Sequence, residues 1–189
     1  IANNTLTDCG GNDGSIDFAG SYTTFDNNSI STQTDAFTIE GDHNNITNNR
    51  VHILDSYYTN GILMWGGNYN LLANNAIVGA YWGIYFYRYT QNNAIVNNSF
   101  VSNQMGIYFD LDINRSQFYN NFFYNNVNVF LYIPQQYLDD NKNNWNNSVG
   151  GNYWASSSGG GFSGTSSGDD DFFSTSSGGD FFASSNGFS

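Results

Sequence analysis

The sequence predicts an all-β protein: a single-stranded right-handed parallel β-helix, or solenoid, of about seven coils, each of roughly 23 residues with three short strands. Three observations predict it. An Asn-Asn pair recurs along the chain, apolar residues flank that pair at fixed offsets, and a Gly-Ile-x-apolar module falls between successive pairs. A self-similar period of this length marks a stacked-repeat architecture.

The pair begins at Asn3, Asn27, Asn48, Asn74, Asn97, Asn120 and Asn143, at intervals of 21 to 26 residues. Two positions before it stands Ile1, Phe25, Ile46, Leu72, Ile95 or Phe118. Three positions after its first member stands Leu6, Ile30, Val51, Ile77, Phe100 or Phe123. The seventh copy has Asn141 and Asn146 in those places, so the repeat frays there. The second module reads Gly61-Ile62, Gly83-Ile84 and Gly106-Ile107, with Asn128-Val129 as a variant.

The apolar positions alternate with period two, and no stretch holds the 3.6 period of a helix. Asn and Gly tolerate the left-handed backbone of a sharp bend, so they belong at the corners between strands. Stacking the coils then aligns Ile62, Ile84, Ile107 and Val129, and likewise Met64, Phe86, Phe109 and Leu131, as inward columns. Asn28, Asn49, Asn75, Asn98 and Asn121 form a further column. Stacked side-chain amides can hydrogen-bond along it, whereas stacked aspartates would repel. A leucine-rich horseshoe has a similar period but requires a Leu-x-x-Leu-x-Leu pattern that is absent.

Composition narrows the function. Charged residues make up 11% of the chain, with 16 acidic residues against four basic ones, for a net charge of −12. Nucleic acid and anionic membranes need basic patches, so neither is an expected partner. No apolar run is long enough for a membrane-spanning helix. Asparagine, at 32 of 189 residues, replaces Lys and Glu as the solubilising side chain. Cys9 is the single cysteine, which excludes an intrachain disulfide and leaves pairing between subunits open. Ile1 already stands in the repeat, so the chain reads as a mature or truncated piece of a longer product.

The repeat over residues 1–154 resembles the NosD-like branch of the carbohydrate-binding and sugar-hydrolase β-helix superfamily. Gly151-Asn152-Tyr153-Trp154 is similar to the signature that closes the β-helix in NosD-like and many archaeal surface proteins. An acidic loop usually follows there, and Gly164-Thr165-Ser166-Ser167-Gly168-Asp169-Asp170-Asp171 matches it in part. The resemblance implies an exported protein, located outside the cell or at its surface. Residues 155–189 form a second region, a Gly/Ser/Asp/Phe low-complexity tail with Phe-Phe at 172–173 and 181–182. It reads as a flexible linker, or as a cap or inter-subunit segment that buries the Phe pairs.

No catalytic residue is assigned. Asp110 and Asp112 share one face of a strand, but no Arg or Lys aligns with that face, although Arg88 lies one coil away near Leu111. The superfamily's polysaccharide lyases need such a base, so lyase-like activity is the runner-up and no enzyme is expected. NosD proteins are associated with copper-site maturation, and copper favours clustered Cys, Met or His. Here Cys9, Met64, Met105, His43 and His52 are scattered, so no copper cofactor is expected. Calcium favours clustered carboxylates, which leaves Asp169, Asp170 and Asp171 as the candidate site. Six N-glycosylation sequons begin at Asn3, Asn27, Asn45, Asn97, Asn114 and Asn146. Of these, Asn3, Asn27 and Asn97 are first members of the corner pair and are expected to point outward.

The outward face of the Gly-Ile strand carries Leu63, Tyr85, Tyr108 and Phe130, with Trp65 and Tyr87 alongside. Such a stripe serves as a self-association surface or as a platform on which sugar rings stack. The expected function is a structural extracellular subunit of a cell-surface filament, sheath or surface layer. A carbohydrate-binding or polysaccharide-degrading β-helix, taking a surface polysaccharide or glycan, is the alternative.

Overall fold

The computed structural model describes residues 1–7, 14–55, 57–87, 89–110, 115–132, 143, 145–147, 150–156 and 163–164. Three parallel sheets wind into the expected right-handed β-solenoid. The first sheet holds β1 (Thr5–Thr7), β4 (Ser29–Thr32), β7 (Arg50–Ile53), β10 (Ala76–Val78), β13 (Ser99–Val101), β16 (Phe122–Asn125) and β20 (Tyr153–Ser156). The second holds β2 (Ile16–Ala19), β5 (Phe37–Glu40), β8 (Asn60–Trp65), β11 (Trp82–Tyr87), β14 (Met105–Phe109), β17 (Val127–Leu131) and β21 (Ser163–Gly164). The third holds β3 (Thr24–Asp26), β6 (Asn45–Thr47), β9 (Leu71–Ala73), β12 (Ala94–Val96) and β15 (Gln117–Tyr119).

Five coils carry all three strands among the described residues, against about seven expected. After β17 no described strand joins the third sheet, and the chain returns to the first sheet at β20. Gly151–Trp154 therefore marks a re-entry, since β20 pairs with β16 and β21 pairs with β17. The antiparallel pair β18 (Asn146–Asn147) and β19 (Gly150–Gly151) lies within that excursion. Trp145 stacks on Phe118 at 4.4 Å, in the place the next coil's apolar residue would fill.

The columns follow the predicted register. Ile62, Ile84, Ile107 and Val129 align through β8, β11, β14 and β17, as do Met64, Phe86, Phe109 and Leu131. Phe37 and Ile39 extend the same columns one coil earlier. Identical side chains meet at one coil spacing, so Phe86 stacks on Phe109 at 5.2 Å and Phe100 on Phe123 at 4.9 Å. At Gly61, Gly83 and Gly106 an added Cβ would press into the carbonyl of the next coil's aligned residue. Close backbone approach thus explains the glycine of the Gly-Ile module.

At each corner between the third and first sheets the two asparagines divide the work. The first is left-handed, with φ between 52° and 60° at Asn3, Asn27, Asn48, Asn74, Asn97 and Asn120. The second joins a ladder of seven rungs, Asn4, Asn28, Asn49, Asn75, Asn98, Asn121 and Asn152, which is buried from Asn28 to Asn121. From Asn28 onward each rung's Oδ1 accepts both the backbone N–H and an Nδ2 proton of the preceding rung, as from Asn75 to Asn98 at 2.9 and 3.0 Å. The other Nδ2 proton goes to a backbone carbonyl, as from Asn98 to Leu72 at 2.8 Å. A buried amide arranged this way leaves no polar atom unsatisfied.

The seventh rung is Asn152 of the Gly-Asn-Tyr-Trp segment and not a residue of the Asn143 pair. Asn152 also donates to the Trp145 carbonyl at 2.7 Å, which ties the excursion to the last complete coil. Asn143 instead accepts from the Ser116 backbone N–H at 2.9 Å, in a second ladder at a different corner. That ladder runs through Asn44, Asn70, Asn93 and Ser116. The residues before these rungs, His43, Tyr69, Asn92 and Arg115, are again left-handed, as is Tyr22 before Thr23, whose backbone N–H donates to Asn44 Oδ1 at 2.9 Å.

Candidate functional site

The second sheet presents the aromatic face. In β11 the inward Ile84 and Phe86 alternate with the outward Tyr85 and Tyr87, as the two-residue period of a strand requires. The register places Leu63, Tyr85, Tyr108 and Phe130 in one column and Trp65 beside Tyr87 in another. Tyr108 stacks on Phe130 at 5.4 Å with 6° between the planes, and Trp65 stacks on Tyr87 at 4.3 Å. Tyr85 meets both Tyr108 and Tyr87 at 88°, joining the two stacks.

Exposure along this face is uneven. Leu63 is buried at 8%, Trp65 is exposed at 49%, and Tyr85, Tyr87, Tyr108 and Phe130 are half-buried. Burial raises the Tyr85 phenol well above its ordinary range, and the Asp110 carboxylate and neighbouring tyrosines add to the effect. Tyr108 is pushed up to about 12, by burial first and by Asp110 second. Both phenols therefore stay protonated over the physiological range. The Tyr85 hydroxyl donates to Asp110 Oδ2 at 3.4 Å.

The face extends beyond the predicted residues. Trp82 lies 5.3 Å from Tyr85 and 5.7 Å from Tyr108, and Tyr58 stacks on Tyr81 at 5.0 Å while touching Trp82. Trp82 precedes the Gly83-Ile84 module directly. Tyr58 lies in the 26-residue interval between Asn48 and Asn74, the longest in the repeat. Both signals were available in the sequence. A separate column, Tyr22–His43–Tyr69, stacks parallel at 4.9 and 5.1 Å along one corner.

The other expected sites are dispersed. Asn3, Asn27, Asn45 and Asn97 are exposed, and the Asn27 amide donates to Asn3 Oδ1 at 2.7 Å. Asn146 lies in β18. Asn114, Cys9, Arg88, Asp112 and the candidate calcium residues Asp169, Asp170 and Asp171 lie outside the described residues.

The model of the family described as periplasmic copper-binding protein (NosD) matches residues 1–159. The chain belongs to the NosD family. No curated protein and no solved structure matches it. The NosD description is of a periplasmic protein, which agrees with the expected export at the coarse level of the cell envelope. Among the described residues no helix is long and apolar enough to cross a membrane.

The copper in the NosD description can be tested against the donors present. Among the described residues no three His, Cys, Asp or Glu side chains come together as a metal group. His43 is clamped between Tyr22 and Tyr69, while His52 is exposed on the first sheet's outward face. Met64 is fully buried in the core, and Met105 begins β14 on the second sheet. A copper centre needs imidazole or sulfur ligands converging on one point. These donors do not fit one.

Proposed function

We propose that this NosD-family β-helix is a structural, non-catalytic protein of the cell envelope. In this reading it self-associates through the aromatic face of the second sheet, as a subunit of a filament, sheath or surface layer. The observation that carries the proposal is how the rings pack. In the Trp65–Tyr87 and Tyr108–Phe130 stacks the ring faces cover one another, so mostly ring edges and hydroxyl groups point outward. Sugar binding by stacking needs an open ring face, whereas packing against another protein surface uses edges and hydroxyls equally well. The interior asparagines also support a structural role, since their amide groups are held in coil-to-coil hydrogen bonds.

Sedimentation and negative-stain imaging over a concentration series test the proposal. Assemblies that dissolve in a Tyr85→Ser/Tyr108→Ser variant with parental circular dichroism are expected. Dispersed monomers of the parent at high concentration would overturn it. One observation favours the alternative of carbohydrate binding: Trp65 ends its stack and remains 49% exposed. Binding to a surface polysaccharide that is lost on Trp65→Ala, with assembly unchanged, would support that reading instead.

A further inference from the structure

We propose that Asn60 and Trp82 form a binding site for one O–H group, held between two neighbouring coils at the margin of the aromatic face. Among the described residues, Asn60 Oδ1 and Trp82 Nε1 are both buried without a hydrogen-bond partner, one an acceptor and the other a donor. The two residues are register partners in β8 and β11, so they occupy one column of the second sheet. The Trp82 ring packs on the outward Tyr85 and Tyr108, which puts that column on the outer face. It also touches Tyr58, two residues before Asn60, so the indole reaches back toward the coil of Asn60. Asn60 itself is 5% exposed.

The unmet acceptor has a local cause. Asn60 donates its backbone N–H and an Nδ2 proton to the Asp35 carboxylate at 2.7 and 2.9 Å. Those bonds point the amide nitrogen at the preceding coil and turn Oδ1 away from it. Asn68 is held by Asp42 in the same way, and there Oδ1 accepts the Gln91 backbone N–H of the following coil at 3.0 Å. At Asn60 the corresponding N–H, that of Trp82, goes to the Thr59 carbonyl at 3.1 Å, beside that of Tyr81 at 3.0 Å. The backbone therefore leaves Asn60 Oδ1 to another donor, and buried polar groups are seldom left unpaired.

A hydroxyl completes both groups, donating to Asn60 Oδ1 while accepting from the Trp82 Nε1–H. An ammonium has no lone pair for the indole proton. A carboxylate has no proton for Asn60 and is repelled by Asp35. The O–H belongs to a water molecule or to a neutral saccharide. For the second source, Tyr57 and Tyr58 meet edge-on at 4.7 Å and are exposed at 78% and 57%, which offers ring surface beside the polar pair. The site stands whether or not copies associate.

Heteronuclear NMR of the full chain tests the site, with the Trp82 indole peak assigned by its loss in Trp82→Phe. A cross-peak from the Trp82 Nε1–H to a bound O–H is expected in the parent and should vanish in Asn60→Leu. A cross-peak to water that persists in saturating maltotriose assigns the O–H to water. A saturable shift of the indole peak with maltotriose assigns it to a saccharide. Trp82→Phe should then weaken that binding roughly two- to tenfold, read from the Asn60 side-chain amide peaks. A scalar coupling from Trp82 Nε1 to Asn60 Cγ in the parent, which requires a direct hydrogen bond between them, overturns the proposal. An indole N–H with neither a water contact nor a maltotriose response overturns it as well.

Discussion

Asn75 donates to Asn98 Oδ1 at 3.0 Å and to the Ile46 carbonyl at 2.8 Å, so one side chain joins three consecutive coils. Replacing Asn98 with Leu removes the acceptor for two Asn75 protons and the donor to the Leu72 carbonyl. Each buried group left unsatisfied costs about 1–3 kcal/mol, so a loss of about 3 kcal/mol or more is expected. Asn98→Asp should cost more, because it loses both donors and buries a charge. Urea denaturation midpoints measure both, and an Asn98→Leu variant within about 1 kcal/mol of the parent would contradict the ladder's role.

Corner backbone geometry makes a separate prediction at Asn74, which is exposed with φ 57°. Asn74→Ala should lower stability by roughly 1 kcal/mol, since a left-handed Ala brings Cβ close to a carbonyl oxygen. Asn74→Gly should stay close to the parent. Thermal melts of the pair would detect the difference, and equal melts would argue that the corner relaxes.

Close coil approach predicts a larger effect at Gly83. A Cβ there meets the Gly106 carbonyl oxygen and lies 3.0 Å from Phe100 Cδ1. Gly83→Ala should cost about 1–3 kcal/mol through overpacking, although alanine prefers an ordinary backbone. A stabilised variant in denaturant titration would show that the coils can spread.

Alkaline pH should weaken the aromatic face. Tyr108 is pushed up to about 12, by burial first, so the folded state holds its proton more tightly than the unfolded state does. A raised folded pKa contributes stability that is fully present below the unfolded value of about 10 and is lost as pH rises toward 12. Tyrosinate absorbance should show late-titrating phenols, and Tyr108→Phe should flatten the alkaline loss of stability. An unchanged profile in that variant would assign the loss to other groups.

Trp145 tests the excursion between β17 and β20. It stacks on Phe118 and meets Phe109 edge-on at 5.9 Å. Trp145→Ala should cost about 3–5 kcal/mol, as for large aromatics removed from a core. Hydrogen exchange should show the loss concentrated in β14 and β15. Protection lost evenly over all coils would mean that the solenoid unfolds as one unit.

Much of the fold was legible because a solenoid repeats its physics. Ile62, Ile84 and Ile107 share one register position, so one alignment of the sequence reveals the column. The ladder from Asn28 to Asn121 was legible for the same reason. The second ladder was not, because Asn44, Asn70, Asn93 and Ser116 vary in residue type and in the residue before them. Of the aromatic face, Tyr85, Tyr87 and Tyr108 followed from strand alternation, whereas Tyr58 and Tyr81 join from outside the strands, where no period applies, and Trp82 joins from the first position of β11, ahead of the Gly-Ile module.

By itself the sequence determined the solenoid, its inward columns and the Asn corners, since alternation and stacking act on positions a fixed interval apart. Only the tertiary structure decided what lies beyond the repeat. In sequence Asn143 begins the fraying seventh pair, and Asn152 belongs to the closing Gly-Asn-Tyr-Trp segment. The excursion after β17 assigns Asn143 to the second ladder and Asn152 to the first. The same holds for the aromatic stripe, where Leu63 is covered, Trp65 is exposed and Tyr87 packs against both Trp65 and Tyr85. Hydrogen bonding and ring packing depend on where a returning chain meets its earlier coils, and no local period encodes that.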